Sequence, residues 1–114
     1  MKYLVGIYEG PDGRGHAETA ARFEALLAEI AESGELIGGA ALADSAGTRT
    51  VRVRGGVPVV ADGPFGAAAE QLTRYVLVDC ESAERATAIA ARLPGTGSGA
   101  VEVRPVMDPS GQEM

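Results

Sequence analysis

Lys2-Tyr3-Leu4-Val5-Gly6-Ile7-Tyr8 is a run of apolar, β-branched and aromatic residues closed by Glu9 and the turn formers Gly10-Pro11-Asp12-Gly13, which is how a β-strand is composed and ended. Alternate side chains of a strand point to opposite faces, so Tyr3, Val5 and Ile7 share one side and Leu4, Gly6 and Tyr8 the other. Neither side carries the polar row of a sheet that meets water. This strand is expected to be covered twice. Leu72 to Asp79, centred on Tyr75-Val76-Leu77-Val78, has the same two-sided character.

Working outward, Ala20, Phe23, Leu26, Leu27 and Ile30 recur at the spacing of a helix with one buried face, which predicts a helix over about 17–33. Glu18, Arg22, Glu29 and Glu32 fall on its wet side, and Gly34 stops it. Leu36 to Ala43 reads as a strand in which Gly38 and Gly39 mark a bulge or a close backbone approach. Arg49 to Arg54 and Val57 to Ala61, joined by Gly55-Gly56, form a tight hairpin. Pro58 lacks an N–H and places its arm at an edge. Asp62-Gly63-Pro64-Phe65-Gly66 breaks the chain. Ser82 suits a helix N-cap, and Ala86, Ile89, Ala90 and Leu93 form a second helical stripe ending at Pro94-Gly95. Val101 to Val106 alternates as a last strand. One domain over 1–107 is expected, followed by a disordered tail over 108–114.

The order strand, helix, strand, hairpin, strand, helix, strand is that of a split βαβ domain: an α+β, ferredoxin-like fold with an antiparallel sheet and both helices on one face. The helices leave the other face of the first and fifth strands bare. About six large apolar side chains there, each worth roughly 1.5 to 3 kcal/mol when buried, amount to about 10 kcal/mol, comparable with the whole stability of a small domain. A face-to-face homodimer is the expected solution. The competing one is a monomer whose bare face lines a hydrophobic ligand pocket.

The chain has 114 residues, 46% of them hydrophobic but only 4% aromatic, so the core is built from Ala, Val, Leu and Ile. A net charge of -6 without any run of Lys or Arg argues against nucleic acid as a partner. The single Cys80 cannot make an internal disulfide, which points to the cytoplasm. The first residues resemble neither a signal peptide nor a membrane span. One histidine and one cysteine at no ligand spacing argue against a zinc site, and no cofactor motif is present.

Val51-Arg52-Val53-Arg54-Gly55-Gly56, then Val59-Val60-Ala61-Asp62-Gly63-Pro64-Phe65, then Glu70-Gln71-Leu72 and Tyr75, resemble the signature of the DGPF type of the YCII-related family, and Val101 to Val106 is similar to its closing strand. The resemblance runs over almost the whole chain. It implies a ferredoxin-like domain that dimerises into an α/β barrel, and relatives of that fold include isomerases, dehalogenases and monooxygenases. It also suggests, from family context alone, a protein partner in sigma-factor regulation. Two departures stand out. Ala67, Ala68 and Ala69 precede the retained Glu70 where the family carries two further charged positions, and Phe23 stands where YCII relatives are proposed to use a histidine.

Among candidate residues, Asp62 ends a strand at a sharp turn. It either aims a carboxylate into an inter-subunit cavity or closes the turn through its own backbone. Asp62 or Glu70 is the expected general base if the protein is a cofactor-independent enzyme of isomerase, lyase or dehalogenase type. Tyr8, Phe65 and Tyr75 are the candidate pocket walls, against the plainer reading that they are core. His16, the sole imidazole, lies in a glycine-rich loop. Cys80 precedes the second helix and reads as a buried filler rather than a nucleophile. Gly10 to Gly15 lacks the spacing of a phosphate loop. The function expected is a small-molecule-binding or regulatory homodimer, with the enzyme as its alternative.

Overall fold

A computed structural model describes residues 1–10, 17–66, 69–93 and 99–113. His16, most of the Gly10 to Gly15 loop, Ala67, Ala68 and Pro94-Gly95 lie outside them. In order, the elements are β1 (Lys2–Glu9), α1 (Ala17–Glu32), β2 (Leu36–Ala41), β3 (Arg49–Arg54), β4 (Val57–Asp62), β5 (Gln71–Asp79), α2 (Ala83–Ala90) and β6 (Ala100–Pro105). Four strands form one antiparallel sheet in the order β2-β5-β1-β6, and β3 and β4 form a second sheet of their own. The pair β1 and β5, two-sided in the sequence, occupies the centre.

The α+β architecture, with an antiparallel sheet and two helices, is therefore present, and its strand order is compatible with a ferredoxin-like fold. Pairs Tyr3 with Val78, Val5 with Val76 and Val5 with Val103 fix one sheet face. Phe23, Leu26 and Ile30 of α1 and Ala86, Ile89 and Ala90 of α2 close over it to make the core. Among the described residues no helix is long and apolar enough to cross a membrane.

Local chemistry explains the boundaries. At the end of α1 the Glu35 N–H donates to Ile30 O and the Gly34 N–H to Ala31 O, the paired bonds of a Schellman stop. The Ser82 hydroxyl accepts from the Arg85 N–H and caps α2. Gly39 is required by crowding, since a Cβ there would lie 2.7 Å from Tyr75 O. The β2 register shifts between Leu36 and Gly38, the irregularity that the paired glycines suggest. Gly55 and Gly56, at φ +57° and +79°, make the hairpin turn.

The other sheet face is bare in the single chain. Paired residues point the same way, so Leu4 with Leu77, Gly6 with Tyr75 and Tyr8 with Leu72 share it. Leu4 and Leu72 are each 42% exposed, and Tyr8, Tyr75 and Leu77 are half-buried. Charges appear there along the β6 edge, as Glu102 and Arg104, and at one end of the central strands, as Lys2 paired with Asp79. The hairpin differs from the rest: apart from Thr50, every residue of β3 and β4 is exposed. Beyond β6, where the polar composition suggests a tail without structure, Met107 bridges to Glu113. The Asp108 carboxylate accepts from the N–H groups of Ser110 and Gln112, a local turn that composition does not reveal.

Arg85 clamps α2 to the start of β2, its Nε donating to Glu35 Oε2 at 2.9 Å and its Nη2 to Glu35 Oε1 at 2.7 Å. That guanidinium, helped by the Ser33 hydroxyl, holds the Glu35 carboxyl well below its usual range, at about 2. A carboxylate whose pKa is lower folded than unfolded stabilises the fold above its ordinary value of 4.5 and loses that contribution as pH falls toward 2. Urea unfolding followed from neutrality into acid is expected to show a steeper loss of stability across that window in the wild type than in Glu35→Gln. Parallel profiles would mean that the clamp contributes nothing.

Candidate functional site

The core face of β1 runs Tyr3, Val5, Ile7 and then Glu9, which is only 1% exposed. An acid thus occupies the last core-facing position of a central strand. Across from it, the β1–β5 register shifts between Ile7 and Tyr8, pairing Ile7 with Arg74 and Tyr8 with Leu72 and leaving Thr73 as the extra residue of a bulge. Bulges re-aim side chains, and this one turns Thr73 toward the acid.

The Thr73 hydroxyl lies 2.6 Å from Glu9 Oε1, within donating reach, and 3.3 Å from Ile7 O. Arg74 Nη1 donates to the same Oε1 at 2.9 Å. The guanidinium also lies 5.5 Å from the centre of the Phe23 ring, a cation–π contact from α1. Arg74 is 12% exposed, so both charges are largely out of water. Among the described residues, Glu9 Oε2 and Arg74 Nε are the buried side-chain atoms left without a partner. An interior of this kind satisfies nearly all of its polar groups, so two unmatched atoms in one ion pair call for an explanation.

Glu9, Thr73 and Arg74 form one wall of a cavity of about 260 Å³. Ala41, Leu42 and Ala43 at the end of β2, with Leu72, supply its apolar lining, and Asp44, Ser45 and Gln71 its further polar groups. Asp44 is fixed by accepting from the Ala46 N–H at 2.8 Å, which caps the short 3-10 turn Ser45–Gly47. Leu42, Asp44 and Gln71 also line a wider groove that continues to the root of the hairpin, at Thr50 and Phe65.

The residues singled out in the sequence lie elsewhere. Asp62 ends β4, opposite Arg49, and its side chain is exposed. Glu70 is exposed in the segment before β5. Phe65 is 81% exposed at the hairpin root, so it encloses neither carboxylate. Tyr8 and Tyr75 are on the bare sheet face, where Tyr8 adjoins a separate crevice with Leu4 and Glu102. Burial, and then a hydrogen bond to Glu102, push the Tyr8 phenol above its ordinary value. Cys80 is buried in the core, its Sγ 3.5 Å from Ser82 O. The structure therefore brings Tyr8 and Tyr75 to one face but does not join them to Phe65, Asp62 or Glu70.

Glu9 and Arg74 escape a reading based on where strands stop, because an acid after an apolar run looks like punctuation. The usable signal is alternation: Glu9 is in phase with Ile7, and Arg74 with Val76, so an acid and a base fall on the core faces of two central strands.

Residues 1–110 match the family model of the YCII-related domain. The chain is also similar to an uncharacterised protein of Rhizobium meliloti (strain 1021), with 37% identity over 86 residues covering 72% of this chain and 68% of that protein.

Removing one partner of a buried ion pair leaves the other charge uncompensated. Glu9→Gln is expected to destabilise the protein by about 3 kcal/mol, and Thr73→Val by about 1 kcal/mol, as read by urea unfolding. Glu9→Gln combined with Arg74→Met should be less unstable than Glu9→Gln alone. A double variant as unstable as the sum of its singles would show that the two side chains act independently.

Proposed function

The chain belongs to the YCII-related family, and on that premise we propose that it is a homodimeric small-molecule-binding domain whose ligand rests in the cavity lined by Glu9, Thr73 and Arg74. The supporting observation is the Glu9–Thr73–Arg74 cluster, with Glu9 itself buried, at the wall of a cavity in a domain whose buried residues are apolar apart from Glu9 and Thr19. Maintaining two desolvated charges is costly, several kcal/mol per ion before their attraction is counted. Glu9 holds the guanidinium in a fixed position, and preorganisation of this kind is what recognition of a small molecule needs.

Lining chemistry narrows the ligand class. Two carboxylates, Glu9 and Asp44, and one guanidinium line it, so the cavity disfavours anions. It suits an uncharged or cationic molecule with hydroxyl or amine donors and an apolar part against Leu42 and Leu72. Its volume of about 260 Å³ lies just under the roughly 300 to 1,000 Å³ usual for drug-sized ligands.

The dimer follows from the bare sheet face. Leu4, Leu72, Leu77, Tyr8 and Tyr75 lie together on it, and the half-exposed Ile37 stands at the β2 bulge. These side chains are already about half-buried, so covering the rest is worth about half of the roughly 1.5 to 3 kcal/mol of full burial each, or about 6 kcal/mol in all. Tyr8 and Tyr75 then become interface residues.

Thermal unfolding with polyols, primary amines, amides and dicarboxylates tests the ligand class. Hydroxyl- or amine-bearing compounds are expected to raise the melting temperature of the wild type, and dicarboxylates are not. Leu42→Arg, at an exposed position on the cavity rim, should abolish the shift without unfolding the protein. No shift with any compound, or a shift that survives Leu42→Arg, would remove the cavity from the proposal. Light scattering at micromolar concentration should give twice the chain mass of 11.6 kDa.

A further inference from the structure

Residues 49–62 form a hairpin that no length-matched sheet accompanies. Among the described residues β3 and β4 pair only with each other, in their own two-stranded sheet. Val51, Val53, Val57, Val59 and Val60 are between 47% and 68% exposed. An isolated two-stranded hairpin is marginal in water, and a row of bare valines makes it more so. The radius of gyration is 15.8 Å, whereas a compact chain of this length has about 13 Å, as a projecting arm requires.

The register sorts the arm into two faces. Val51 pairs with Val60 and Val53 with Pro58, giving one apolar face, while Arg52 and Arg54 lie on the other, opposite Val59 and Val57. The arm carries Arg49, Arg52 and Arg54 against the single acid Asp62, a net charge of +2. With -6 on the whole chain, the remainder carries -8. Arg49 lies on the valine face and Arg52 and Arg54 on the far one, so these charges surround an apolar contact with the acidic body of another copy rather than form it.

Area supports the same occupant. Strands of six residues at ~3.3 Å each give a hairpin face about 20 Å long and about 10 Å wide, or about 200 Å². A four-stranded face of similar length offers about 400 Å². A stable interface needs about 800 Å² from each partner, so the sheet face alone is short by half. A two-fold assembly in which each protomer contributes its sheet face, its arm and the strip beneath its partner's arm reaches that size.

We infer that the β3–β4 hairpin is a clasping arm, which lays Val51, Val53, Pro58 and Val60 on the body of a second copy of this chain. The inference rests on the homodimer proposed above and adds a second contact to it. Val53→Cys places one accessible thiol on the arm, because Cys80 is buried. Its reaction with a maleimide is expected to be slow where light scattering reports a dimer and to accelerate at least tenfold on dilution to monomer. Val60→Glu should raise the dimer dissociation constant at least tenfold with an unchanged far-ultraviolet spectrum. Fast labelling within a stable dimer would overturn the arm and leave the sheet-face dimer standing. Protection that persists at every dilution would show the arm folded on its own body, which also overturns the inference. A wild type that remains monomeric throughout would reject both contacts.

Discussion

The two central strands of the sheet, β1 and β5, are apolar on both faces, while α1 and α2 lie over only one of them. Most of what is distinctive in this molecule follows from that imbalance. The covered face is closed by small side chains at near-complete burial, as in Val5, Val76, Val78 and Ala86, each 0% exposed. A core poor in aromatic rings has to be built from close approach, and Gly39 against Tyr75 O and Gly99 against Tyr8 O are places where no Cβ would fit. The uncovered face keeps its leucines and tyrosines in contact with solvent for as long as the chain is alone.

Against this apolar background the Glu9–Arg74 pair is the exception that carries chemical information. It sits where the core layer ends, at a bulge, with a threonine hydroxyl and a phenylalanine ring completing the surroundings. Well-packed apolar residues of equal volume would stabilise such a position as well or better. The pair is therefore better understood through the cavity it borders than through stability.

Most of the fold was legible in the sequence because its elements carry local cues. The glycine after α1, the serine before α2 and the glycine pair in the hairpin each act within a few residues, and each is found in the expected role. What escaped depends on relations between distant segments. Glu9 and Arg74 meet only because β1 and β5 pair in one register with one bulge, 65 positions apart in the chain. The hairpin was legible as a hairpin, but whether it joins the main sheet is decided by partners that its own residues do not name. Asp62 and Glu70 flank a conspicuous turn, the kind of place where a sequence suggests a site. The structure gives that turn the base of an exposed arm, away from Glu9.

The strand order also governs how such a chain can be made. β1 leaves the synthesis machinery first, yet its neighbours are β5 and β6, and Tyr3 must find Val78 on one side and Pro105 on the other. Nearly the whole polypeptide has to emerge before the oldest segment can satisfy its backbone on both edges. Until then Lys2 to Tyr8 is a short, adhesive peptide with few charges to keep it in solution. The nascent chain is thus most vulnerable to aggregation at β1, and a shielding chaperone would protect it there.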